Sequence, residues 1–261
     1  MSRNFSHCTE VTPGCPVEAT TYGYTPHLAG NIFLSAFFGV LALAQLGFGV
    51  YRRTWTFLIA LFLACALECI GYIGRILMND NPWSESAFKI QIVCLILAPS
   101  LLAAGIYLTL KHIVLYVGPE FSRLKPALYT WIFIGCDIGS LVLQSVGGGV
   151  AAAAGRSKRT LLDVGNNIII TGIAFQVATM AVCGLLALEF CFRVYRSRGS
   201  FAPKDSSLKS DNRRFWIFCC AEIFAYVTIL IRCIYRLPEM AGGWGNPLMQ
   251  NEKEFLILDG A

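Results

Sequence analysis

The sequence predicts an all-α fold, a polytopic membrane helical bundle with six full spans. Three observations lead there. The 261-residue chain is 56% hydrophobic and only 14% charged, against about 25% charged in soluble domains. Apolar runs recur at 28–50, 55–78, 87–110, 127–150, 167–192 and 215–236, each long enough to cross a hydrocarbon core of about 30 Å. No stretch between them is long enough to separate two globular units. A chain that crosses a bilayer so often must be helical, because each backbone polar group there needs an internal partner. Residues 27–261 therefore read as one transmembrane bundle and residues 1–26 as a tail.

The tail, "MSRNFSHCTEVTPGCPVEATTYGYTP", is polar and turn-rich with no apolar core. It does not read as a cleavable signal peptide, so the first span is expected to act as the targeting signal. Orientation follows from Lys and Arg. With the N-terminus outside, twelve of the 21 basic residues fall on inner loops, seven of them within 193–214. The short outer loop "GRSKRT" pulls weakly the other way. Asn4-Phe5-Ser6 is a glycosylation sequon and suits an outer tail. Cys8 and Cys15 share that tail, where the compartment permits a disulfide. The other cysteines fall in spans and read as small apolar packers.

The second to sixth spans carry the informative residues. Pro99 removes a helix hydrogen bond from the third span and is expected to kink it. Ala98, Ala103, Ala104 and Gly105 surround it and permit close packing. Gly135 and Gly139 form a small-residue pair on the fourth span, expected to bring a neighbouring helix close. The long loop at 193–214 is basic and Ser-rich, and is expected to rest against anionic lipid headgroups. After the sixth span, 252–261 reads as the start of a seventh helix that ends with the chain.

A charge near the centre of a spanning helix costs roughly 2.5–3.5 kcal/mol on insertion scales. The stretch "CDIGSLVLQSVGGGV" nevertheless places Asp137 about 15 Å into the fourth span. Ser140 and Gln144 share its face at i+3 and i+7. In the second span Glu68, Tyr72 and Arg75 form a stripe at i, i+4 and i+7. The sixth span repeats it with Arg232, Arg236 and Glu239, and Gln176 sits near mid-membrane in the fifth. Buried membrane charges pair or line a wet cavity. One reading is an outward-opening cavity lined by Glu68, Arg75, Asp137, Gln144, Gln176 and Arg232. The other is that Glu68 or Asp137 pairs with Arg232 or Arg75 and locks the helices together.

The ordered set "LECIGYIGR", "LAPSLLAAGIYLTL", "CDIGSLVLQSVGGG", "GIAFQ" and "ILIRCIYRLPEM" resembles the fungal RTA-like family, also called lipid-translocating exporters. The likeness runs from about Tyr24 to Ala261. It implies a seven-span plasma-membrane protein in which the seventh helix is truncated. It also implies a link to the export of sphingoid long-chain bases, to resistance against toxic amphiphiles and, in one branch, to porphyrin uptake. It brings no catalytic roles with it.

Two functions follow. The first is a transporter or exporter of an amphiphilic lipid-like molecule, in which Glu68 and Asp137 face a cationic amine or a proton. The alternative is a seven-span receptor or sensor in lipid-stress signalling. An enzyme is not expected. The three histidines are His7, His27 and His112, none mid-membrane, where a zinc hydrolase needs several. No phosphate-binding GxxxxGK[ST] loop occurs. No cofactor, metal or nucleic-acid partner is expected.

Overall fold

The computed structural model describes residues 8–20, 22–118, 120, 122–154, 159–197, 208–241, 250, 252 and 255. Six long helices build it: α1 (Leu28–Arg52), α2 (Trp55–Asp80), α3 (Glu85–Val117), α4 (Pro126–Ala154), α5 (Arg159–Ser197) and α6 (Leu208–Ala241). All six are long and apolar enough to cross a membrane, and the protein is an all-α polytopic membrane bundle. Each helix overruns the apolar run that predicts it, α5 most of all at 39 residues. Hydropathy marks only the part that meets hydrocarbon. The backbone ladder continues through polar flanks until a cap stops it.

The stops are local. Arg53 adopts a left-handed conformation (φ 56°) and its N–H bonds back to the Gly49 and Val50 carbonyls, closing α1. Ser84 starts α3 by accepting the Ala87 N–H at 3.4 Å. Gly118 ends it at φ 140°, where a side chain would be strained. Pro99 lies buried inside α3, which runs on through it.

The centre of the bundle is α3, the most buried span. It packs against α2, α4, α5 and α6, while α1 packs on α2 and α4 on α5. Its apolar core joins Tyr107, Leu110 and Val114 of α3 to Tyr129, Phe133, Met180, Cys183 and Ile229. The faces turned away from neighbours, such as Phe33, Val40 and Leu43 of α1 or Phe224 and Val227 of α6, are apolar and exposed. In a membrane they meet lipid tails.

Small residues set the helix spacing, but not the pair expected. Among the described residues a Cβ on Gly135 would meet nothing within 4 Å, and one on Gly139 only a Phe175 ring atom at 4.0 Å. The assignment of Gly135 and Gly139 to close packing is therefore corrected. The tight α4–α5 contact uses Gly147, Gly165 and Gly172 instead. A Cβ on Gly165 would lie 2.6 Å from the Ala151 nitrogen and 2.8 Å from the Gly147 carbonyl oxygen. Spacing alone shows that a helix has a small face; it does not show which face receives a neighbour.

The N-terminal segment folds over the end of the bundle where α1, α3 and α5 begin. Cys8 and Cys15 form a disulfide. Asn81 donates to the Thr9 carbonyl and Asn79 to the Pro26 carbonyl, each at 2.7 Å. Tyr22 is buried with Met78, Ala87, Ile169, Ile173 and Met240. Asn4 lies outside the described residues, as do 198–207 of the basic loop. Of 252–261, Glu252 and Phe255 are described, both helical.

The glycine assignment yields a test. Gly165→Ala should lower the stability of the detergent-solubilised protein by about 1–3 kcal/mol, the usual cost of overpacking. Gly135→Ala should not lower it and should raise it by up to about 1 kcal/mol, the usual gain of Ala over Gly at an unencumbered helix position. Thermal unfolding of both variants checks this. Equal shifts would contradict the assignment.

Candidate functional site

The polar residues of the spans do not line one open cavity. They are buried, and they divide into two seams on two faces of α3, which corrects the single outward-opening cavity. On α3, Cys94, Ala98, Gly105 and Thr109 share one face; Ser100, Ala103, Tyr107 and Leu110 share another.

The first seam lies among α2, α3 and α6. At mid-span the Arg232 guanidinium grips the Glu68 carboxylate with both arms, Nη1 to Oε1 at 2.5 Å and Nη2 to Oε2 at 2.9 Å. Glu68 is fully buried and Arg232 nearly so. The Nη2 arm makes a charge-assisted hydrogen bond, a stronger kind than one between neutral groups, and the Nη1 arm adds a close charge contact. One turn along α2, Tyr72 turns toward α1 and stacks on Phe38, with ring centroids 5.8 Å apart and planes 4° apart. Further along α6, Arg236 faces Glu239 at 3.8 Å.

Arg75 completes this seam at the N-terminal face and gathers two distant segments. It donates from Nε to Asn31 at 3.1 Å, and from Nη2 to the Tyr24 hydroxyl at 3.1 Å and to Glu252 at 3.2 Å. Its guanidinium lies over the rings of Phe255 and Tyr22, 4.1 and 5.5 Å from their centroids, a favourable arrangement for a cation. Glu252 also accepts the His27 N–H at 2.6 Å. Tyr22 accepts from Gln91 at 3.0 Å. Burial raises the phenols of Tyr22 and Tyr24 above their ordinary range, against the opposing pull of Arg75. Both remain neutral hydroxyls.

The second seam lies among α3, α4 and α5 and is built from amides and hydroxyls. Gln144 donates to Gln176 at 3.2 Å, and Gln176 to the Ser100 hydroxyl at 2.7 Å. Gly172 gives Gln144 its space, since a Cβ there would lie 2.7 Å from its Cγ. Ser140 bonds back to the Asp137 carbonyl at 2.7 Å. Asp137 is 3% exposed. Neither oxygen has a hydrogen-bond partner among the described residues. The Tyr107 hydroxyl stands beside it without reaching bonding geometry.

So Glu68 takes Arg232 as one sequence reading foresees, and Asp137 takes neither arginine. Sequence reasoning missed Tyr107, Ser100, Tyr24, Asn31, Glu222 and Glu252. For Glu222 a signal existed: it continues the α6 stripe of Arg232 and Arg236 by helical steps. For Glu252 none did, because its place depends on how the chain returns after α6.

Comparison with known proteins adds the kinship. The family model described as RTA1 like protein matches residues 61–261. The chain belongs to this family. RTA1-like relatives include the sphingoid long-chain base transporter RSB1 of Saccharomyces cerevisiae (strain ATCC 204508 / S288c), 35% identical over 91% of this chain and 68% of that protein. The protoporphyrin uptake protein 1 of the same strain is 30% identical over 77% of this chain and 63% of its own. Protein RTM1 of Saccharomyces cerevisiae is 27% identical over 80% and 64%. No solved structure matches. The RTA1-like match takes in most of α2 and all of α3 to α6, and with them the second seam and Glu68, Tyr72, Arg75, Arg232, Arg236 and Glu239 of the first.

The Glu68–Arg232 pair makes a prediction. Glu68→Gln should strand the Arg232 cation and cost about 3–5 kcal/mol, read as lost folded yield and earlier unfolding in detergent. Adding Arg232→Met removes the stranded charge and should restore most of the loss. A single variant as stable as the parent would mean that the pair does not lock the helices.

Proposed function

We propose that this protein is an integral membrane transporter of amphiphilic, lipid-like molecules that carry a cationic amine, with sphingoid long-chain bases as the leading substrate class. One observation carries the reading: Asp137 is a buried carboxylate with no hydrogen-bond partner among the described residues, in a seam whose other members are amides and hydroxyls. An uncompensated carboxylate in a membrane interior is expensive, and such residues mark substrate or ion pathways. A long-chain base offers what this seam lacks. Its ammonium suits Asp137, its hydroxyls suit Gln144, Gln176, Ser100 and Ser140, and its alkyl chain suits the apolar surroundings. Kinship with a protein named as a sphingoid long-chain base transporter supports the same class.

The closed seams fit an occluded state between two accesses. In this reading Glu68, Tyr72, Arg75, Arg232, Arg236 and Glu239 hold the transport frame and its N-terminal closure. Asp137, Gln144 and Gln176 meet the polar head. The protein sits in the plasma membrane with its N-terminus outside, and the basic stretch 193–214 faces anionic inner-leaflet headgroups. It is not an enzyme.

Asp137→Asn keeps the shape and removes the charge. The variant should fold and reach the membrane, yet lose efflux of a labelled long-chain base by about 10–100-fold. That is the kinetic equivalent of a charge-assisted hydrogen bond worth about 1.5–3 kcal/mol. Surface level and efflux from purified-protein vesicles are measured together. A well-expressed variant with unchanged efflux would refute the role of Asp137. Long-chain-base resistance in cells without flux in vesicles would favour a sensor.

A further inference from the structure

The charged stripe of α6 begins before its ion pairs do. Helical steps of three and four residues from Glu222 reach Ala225, Ile229, Arg232, Arg236 and Glu239, so Glu222 opens the same face. It lies ten residues before Arg232, about 15 Å along the axis, toward the face opposite the N-terminal segment. The ion pairs above it neutralise one another. Among the described residues Glu222 has no such match.

Its surroundings are nearly apolar. The neighbour on α3 is Thr109, whose hydroxyl stands beside the Glu222 carboxyl but gives its proton to the Gly105 carbonyl at 2.9 Å. Gly105, one turn away, faces Leu61 and Phe57 of α2. The titratable group within reach on α6 is the Cys219 thiol, which itself lies near Cys191 of α5. Among the described residues Glu222 takes part in no ion pair. The residue is half-buried, and its Oε1 is sealed from solvent without a hydrogen-bond partner.

A carboxylate held this way is unfavourable as an anion unless it acquires a cation. Sealed packing around Oε1 leaves the cation that needs no room of its own. We propose that Glu222 is a proton-binding site at the end of the α2–α3–α6 seam far from the N-terminal segment. Its proton exchanges with the aqueous phase on that side and couples transport to a proton gradient. The coupling rests on the transport reading above; the proton site itself does not.

The experiment uses the full chain in lipid nanodiscs and in proteoliposomes. First, the infrared stretch of protonated carboxyl groups is titrated over about pH 5–8 for the parent protein, Glu222→Gln and Asp137→Asn. A band lost in Glu222→Gln and kept in Asp137→Asn is the expected result. No Glu222-dependent band in that range overturns the proposal. Second, movement of a labelled long-chain base is followed with and without a gradient of one pH unit. That gradient is worth about tenfold in accumulation for each proton coupled. The parent should respond by severalfold, Glu222→Gln should move the base without responding, and Glu222→Asp should recover the response. A gradient response that persists in Glu222→Gln, or its absence in the parent, refutes the coupling. A Glu222-dependent band in a parent protein that moves no long-chain base would leave the proton site standing and sink the transport reading instead. Should Glu222→Gln fold poorly, Thr109→Val serves as second variant: by removing the neighbouring hydroxyl, it should shift the titration of the same band. An unshifted band would then overturn the assignment.

Discussion

The buried ion pair between Glu68 and Arg232 is the contact on which the arrangement of this bundle depends. Inside a membrane neither charge is tolerable alone, so the two helices that carry them must come together. α6 otherwise packs on α5 and α3, and the pair ties it to α2 and hence to α1. A two-pronged grip also fixes how each helix is rotated about its axis. With Glu68 aimed at α6, the stripe it shares presents Tyr72 to Phe38 of α1 and Arg75 to the N-terminal face. With Arg232 aimed at α2, Arg236 and Glu239 follow along the same side of α6.

α3 then separates two environments of different chemistry. On its α2–α6 side charges are matched in pairs, and the seam ends in Arg75, which ties the segment before α1 to the segment after α6. On its α4–α5 side the polar groups are uncharged except for Asp137. Close glycine contacts between α4 and α5 keep that side narrow. The contrast separates a side of matched ion pairs from a side of amides and hydroxyls in which the Asp137 carboxyl has no hydrogen-bond partner among the described residues. Glu222 is the exception on the paired side, a carboxylate outside the pairing scheme.

Much of this is visible in the residues themselves. Helical periodicity groups Glu68 with Arg75, Asp137 with Gln144, and Arg232 with Glu239, because side chains three, four and seven positions apart share a face whatever surrounds them. The need to compensate buried charge singles out these same residues. Periodicity could not select partners. Glu68 and Asp137 are equally plausible mates for Arg232 on paper, and only the placement of α6 against α2 separates them. It also could not say which glycines face a neighbour: Gly135 and Gly139 have the spacing, while Gly147, Gly165 and Gly172 have the contact.

The sequence by itself determined that this is an all-α membrane bundle, where the six described helices lie and which faces carry charge. Those properties depend on hydropathy and backbone geometry, which act within about 20 residues of chain. The tertiary structure alone decided that the polar residues form two closed seams rather than one cavity. It also decided that Asp137 remains without an arginine and that Glu252 and Phe255 close over Arg75. These outcomes depend on distances between helices far apart in the chain. Such distances are set by the packing of small residues and by the geometry of ion pairs, which no local pattern encodes.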